Sequence, residues 1–198
     1  MSETECSILF TIGHSTHPTE DFLRLLHQHR ITALCDVRSA PYSRYNPQFN
    51  KETLAAVLDE AGIAYVYLGR ELGAMVEDPS CWENGRVSYP KVAETELFRA
   101  GLDRLREGMR RYRITLMCAE RDPISCHRMM LVTRNLRHEE LDIQHIRADG
   151  TLEPNAAAER RLLEAAGLSP GTLFQDEAEM VEEAYLKVGK RNAWKPDR

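Results

Sequence analysis

The chain predicts an α/β fold: a three-layer domain with a mostly parallel five-stranded sheet, helices on both faces and a C-terminal helical extension. Short apolar runs without polar alternation read as strands buried on both faces. Each is followed by an amphipathic or helix-length stretch, the alternation that builds a parallel sheet. The length of 198 residues, with 42% hydrophobic and 29% charged side chains, suits one domain with a full core and excludes a disordered or collagen-like chain.

The elements follow in order. Ile8–Ile12 is an apolar run ended by Gly13, and Pro18 opens a helix whose Phe22, Leu25 and Leu26 share a face. Ile31–Val37 is the second strand. Lys51–Ala61, preceded by Asn50 and stopped by Gly62, is the second helix. Ile63–Leu68 is the third strand, and Gly69 to Tyr89 reads as an irregular connection, long enough to suggest a lid or binding insertion. Pro90–Tyr112 reads as one long helix, Ile114–Cys118 as the fourth strand, Ile124–His138 as a helix and Leu141–Ile146 as the fifth strand. Residues 1–150 then form the α/β domain. Residues 151–198 form the extension, with helices over Ala156–Ala166 and Asp176–Val188 packed on the domain or on a second copy as a homodimer, and a polar, frayed end from Gly189.

No apolar run approaches the length of a membrane span, and the first residues are acidic, so the reading is a cytoplasmic protein without a membrane partner. Five irregularly spaced cysteines read as reduced thiols. The net charge of −5 argues against a general nucleic-acid binder. The run Arg99, Arg104, Arg106, Arg110, Arg111 and Arg113 reads as a solvated, ion-paired helix face, with an RNA-facing stripe as the alternative.

Ligands of open α/β sheets bind beyond the carboxyl ends of the strands. There the chain places His14, Asp36 with Arg38, Arg70 with Glu71, and Cys118 with Glu120, while the opposite strand ends are plain. This points to catalysis by Cys118, Glu120, His14 and Asp36. Arg38 and Arg128, with the N-terminus of the helix after Pro123, would hold an anion. Ser43, Arg44, Tyr42, Tyr67, Arg70 and Glu71 are further candidates for substrate contact, and Tyr42 or Tyr45 could stack on a base or sugar. Asp36→Asn and Arg38→Ala are expected to damage binding more than folding.

A metal reading uses overlapping residues: His14, Asp36, Cys118, Cys126 and His127 offer ligands for iron or zinc. On a regular helix Cys126 and His127 point about 100° apart, so both reach one ion only from an irregular entry turn. A harder variant pairs His14 and Asp36 with Tyr42, Tyr45 or Tyr67 around iron.

Four segments occur together: Thr11-Ile12-Gly13-His14-Ser15; Asp36-Val37-Arg38 with Pro41, Ser43-Arg44 and Phe49; Tyr67 to Gly73; and Leu116 to Glu120 with Cys126-His127-Arg128. Over residues 8–150 the chain resembles the family named domain of unknown function 488, departing from it at Ala74, where a second glycine is usual. The resemblance implies a compact α/β domain with the motif residues around one pocket, and no assigned reaction.

The combined reading is an enzyme of hydrolysis or group transfer on a small anionic, nucleotide-like molecule. Hydride transfer is disfavoured because no Gly-x-Gly-x-x-Gly follows the first strand. The alternatives are a module binding nucleic acid or a modified base, and an iron- or zinc-binding enzyme or sensor.

Overall fold

The computed structural model describes residues 7–168 and 176–195. The chain runs β1 (Ser7–Gly13), α1 (Thr19–Gln28), β2 (Ala33–Asp36), α2 (Lys51–Glu60), β3 (Ala64–Tyr67), α3 (Gly69–Leu72), β4 (Trp82–Glu83), β5 (Arg86–Val87), α4 (Tyr89–Glu94), α5 (Glu96–Met109), β6 (Ile114–Cys118), β7 (Leu141–Ile146), β8 (Leu152–Pro154), α6 (Asn155–Ala166) and α7 (Glu177–Asn192). The main sheet has the order β3-β2-β6-β1-β7-β8. Its first five strands are parallel, as predicted, and the added sixth, β8, pairs antiparallel with β7.

Strand pleating sends alternate side chains to opposite faces. On one face Phe10, Ile12, Leu34 and Met117 pack on α1 and α2 through Phe22, Leu25, Leu26, Leu54 and Leu58. On the other, Leu9, Cys35 and Leu116 join α4, α5, α6 and α7. The C-terminal helices therefore share the domain's own core, with Val181, Ala184, Tyr185 and Val188 buried in it. No helix among the described residues is long and apolar enough to cross a membrane.

Four local expectations need correction. The segment Gly69–Tyr89 is built, not irregular: it holds α3, a 3-10 turn at Pro79–Cys81 and the two-stranded ribbon β4–β5. The predicted long helix from Pro90 breaks at Thr95, whose extended backbone and hydroxyl cap the Phe98 N–H and start α5 afresh. The predicted helix Ile124–His138 is a 3-10 turn at Pro123–Ser125, a π-helical turn at Arg128–Val132 and a second 3-10 turn at Thr133–Asn135. The end of the chain is tied down as far as it is described: α7 continues to Asn192, Trp194 meets Trp82 edge to face at 5.5 Å, and its carbonyl accepts the Val87 N–H. The last three residues of that predicted frayed end, and Cys6, lie outside the described residues.

Strand order decides which loops meet. Parallel register aligns Gly13 with Cys118 and Asp36 with Met117, so β1, β6 and β2 deliver their carboxyl ends side by side. This is where the strand order switches direction.

Candidate functional site

Cys118 ends β6, and Glu120 follows in the loop. The loop lies directly on β1: a Cβ at Gly13 would stand 1.9 Å from the Glu120 carbonyl oxygen, so only glycine fits there. Arg128 holds the loop from behind. It is fully buried and donates from Nη1 to the Glu120 carbonyl at 2.6 Å, from Nη2 to the Arg121 carbonyl at 3.0 Å and from Nε to Thr11 Oγ1 at 3.3 Å.

The irregular turn required for Cys126 and His127 to act together is present. Cys126 is extended, at φ −117° and ψ 142°, between the 3-10 turn and the π-helical turn, and His127 immediately precedes the latter. His127 Nε2 lies 2.9 Å from the Val37 carbonyl. A carbonyl only accepts, so Nε2 carries the proton and the lone pair of Nδ1 faces the sulfurs, 3.5 Å from Cys118 Sγ and 3.9 Å from Cys126 Sγ. Both sulfurs lie within hydrogen-bond distance of Glu120 Oε2, at 2.9 and 3.0 Å.

Cys118, Glu120, Cys126 and His127 thus bring four ligand atoms within 4.8 Å of one another, an arrangement that could hold a metal ion. Zinc bonds of about 2.3 Å to sulfur and about 2.0–2.1 Å to nitrogen give tetrahedral S···N edges of about 3.5 Å. The Cys118 distance to His127 matches such an edge and the Cys126 distance is longer, while the sulfur–oxygen distances are shorter, as in hydrogen bonds. Cys118, Cys126 and His127 are buried, and Glu120 is exposed.

Burial and the neighbouring Cys126 lift the Cys118 thiol well above its ordinary value. Against burial, the Cys118 hydrogen bond and the Arg128 charge hold Cys126 well below its own. Burial and Cys126 also raise Glu120, while burial opposes but Cys126 raises His127.

The cluster opens on a cavity of about 220 Å³ whose lining includes Arg38, Ser39, Met75, Tyr89, Asn192 and Trp194 beside Cys118, Glu120 and His127. Arg38 is 6% exposed. Its Nε and Nη2 grip Asp36 at 2.9 and 2.6 Å, Nη2 also donates to the Phe49 carbonyl at 2.8 Å, and Nη1 reaches His14 Nε2 at 3.2 Å. Gly69 lets its own turn close on this segment, since a Cβ would stand 1.9 Å from the Arg38 carbonyl.

Several sequence candidates are placed elsewhere. Asp36 is fully buried behind Arg38 and accepts the Tyr65 hydroxyl at 2.8 Å, so neither it nor His14 joins the metal-type cluster or lines the cavity. None of the three tyrosines proposed beside Asp36 meets it in a hydrogen bond: Tyr67 donates to the Ser39 carbonyl, Tyr42 to Glu52, and Tyr45 accepts from Arg44. Ser43 Oγ accepts the Tyr45 and Asn46 N–H groups and serves its own turn. Tyr42 and Arg44 line no part of the cavity, Arg70 is exposed outside it, and Glu71 pairs with Arg104.

Arg128 is fully buried, bonds two backbone carbonyls and Thr11, and lines no part of the cavity. The expected helix N-terminus is also consumed: the N–H groups of Ile124, Ser125 and Cys126 bond Asp122 Oδ1, the Asp122 carbonyl and the Pro123 carbonyl. In the arginine run, Arg104, Arg106, Arg110 and Arg111 are ion-paired with Glu71, with Asp103 and Glu139, and with Glu107, as a solvated helix face predicts.

Sequence reasoning missed Tyr89, Ser39, Met75, Asn192 and Trp194. The available signals were a tyrosine just before Pro90 and a tryptophan inside a polar tail. Comparison with known proteins adds one finding: the family model described as domain of unknown function DUF488 matches residues 18–134. No curated protein and no solved structure matches. With more than half its length matched, the chain belongs to the DUF488 family.

Proposed function

We propose that this protein is a metal-dependent enzyme that binds a thiophilic divalent ion, zinc first among them, on Cys118, Cys126 and His127. It catalyses hydrolysis or group transfer on a small molecule in the adjoining cavity. The observation that carries the reading is the convergence of the four donor groups at the edge of that cavity. Two cysteines and a histidine with one open position form a known catalytic zinc set. When bound, such an ion supplies Lewis acidity and a water acidic enough to lose its proton near neutral pH.

The protein's own residues supply the rest. Val37 fixes the His127 ring, an outer contact of the kind that orients metal ligands. Arg128 and Gly13 hold the loop of Glu120. Glu120, the exposed member of the group, accepts the proton of the attacking water. A free thiolate nucleophile at Cys118 is the weaker reading, because burial and a second sulfur favour the neutral thiol unless a metal replaces the proton.

The test is elemental mass spectrometry on untagged protein purified anaerobically. One equivalent of zinc in the wild type, lost in Cys118→Ser and Cys126→Ser but kept in Arg44→Ala, is expected. Folded wild type that holds no zinc after dialysis against the ion overturns the reading.

A further inference from the structure

Arg38 is more than nine-tenths buried and borders the cavity, and four of its five guanidinium N–H groups have partners: Asp36 twice, the Phe49 carbonyl and His14. The fifth, on Nη1, has no partner among the described residues. Tyr89 shows the same pattern from the α4 side. Its ring is 5% exposed and borders the cavity, and its hydroxyl makes no hydrogen bond among the described residues. It shares that cavity wall with Cys118, Glu120 and His127.

Charge separates the ligand classes. The Arg38 cation is neutralised by Asp36 in a two-point contact, Arg128 faces away, and Glu120 adds a carboxylate. A phosphate dianion needs uncompensated positive charge, whereas the one cation of this lining is already paired, two thiolates would balance a divalent ion, and the other free side-chain donors among the described lining residues, the Tyr89 and Ser39 hydroxyls and the Trp194 indole N–H, are neutral. Neutral donors beside a paired guanidinium suit an uncharged oxygen atom rather than an anion. The volume of about 220 Å³ lies below the roughly 300–1,000 Å³ of pockets that take drug-sized ligands.

Resting on the metal-centre reading, we infer that the substrate is a small, uncharged amide or ester whose carbonyl oxygen is received by the free Arg38 N–H and the Tyr89 hydroxyl. These donors then stabilise the negative charge that grows on that oxygen. The reaction is hydrolysis. Water adds to the carbonyl carbon, its proton passes to Glu120 and from there to the departing amine or alkoxide as the bond to carbon breaks, leaving a carboxylic acid and an amine or alcohol. No oxidant or reductant is consumed.

The experiment is calorimetric titration of zinc-loaded protein with two probes: acetohydroxamic acid, planar and uncharged in neutral solution, and methylphosphonate, tetrahedral and anionic. The expected result is a Kd at least about tenfold lower for acetohydroxamic acid, weakened about tenfold in Tyr89→Phe, with methylphosphonate indifferent to that change. Tyr89→Phe keeps the buried ring, so zinc content and thermal stability should match the wild type. Equal or tighter methylphosphonate binding, or an unchanged acetohydroxamic acid Kd in Tyr89→Phe, overturns the inference while leaving the metal centre standing. Failure of the wild type to retain zinc overturns both.

Discussion

Arg38 Nη1 lies 3.2 Å from Nε2 of His14, and that contact defines the state of the imidazole. A guanidinium only donates, so Nε2 accepts and the ring proton sits on Nδ1, 2.9 Å from the Ser15 carbonyl. Burial first, and the Arg38 charge second, lower His14 to about 4. The ring stacks on Phe49 at 4.3 Å. His14 is a neutral strut for Arg38 at physiological pH, with both nitrogens engaged.

His14→Ala should therefore cost about 2–4 kcal/mol of stability through the lost buried ring and hydrogen bonds, with zinc content unchanged. Urea denaturation with metal analysis checks both. Loss of the ion in a stably folded variant would return His14 to the metal centre.

Asp36→Asn should lower stability by about 3–5 kcal/mol, because it leaves the Arg38 charge buried without its partner. This reverses the expectation from sequence that the change would harm binding more than folding. Chemical denaturation at neutral pH decides, and a cost below about 1 kcal/mol would contradict the buried pair.

His145 carries a pH dependence. Its Nδ1 lies 2.8 Å from Thr11 Oγ1 and its Nε2 3.2 Å from Asn155 Oδ1, and burial, then the Arg128 charge, lower it to about 3. The unfolded chain takes up this proton near pH 6.5 and the folded chain only near 3, so the contribution to stability is complete above 6.5 and lost on acidification. Between pH 6 and 5 the slope from this group approaches about 1.4 kcal/mol per pH unit. His145→Gln should show a slope shallower by that amount in denaturation series across this range.

Gly13→Ala should displace the loop that carries Glu120, since the nearest atom to the added methyl is a backbone oxygen. Arg128→Met should act on the same loop by removing its bonds to two carbonyls. Zinc affinity is expected to fall about tenfold or more in each, the usual size of an effect on the support of a metal site. Competition with a chromophoric chelator measures it, and unchanged affinity in both would detach the loop from the site.

The sequence by itself determined the α/β class, the five parallel strands and the carboxyl-end location of Cys118, Glu120 and Arg38. Apolar runs, helix periodicity and turn residues are local signals, and the switch-point rule turns them into a place for the site. Only the tertiary structure decided which polar residues meet there. Cys126 and His127 reach one point because their turn is not a regular helix, and the histidine is aimed by a carbonyl 90 residues away. Arg38 and Arg128 are alike in the sequence. Strand order buries one among backbone carbonyls and leaves the other a single free N–H at the cavity. Trp194 and Tyr89 became its walls through long-range packing of α7 and α4, which carries no local signature along the chain.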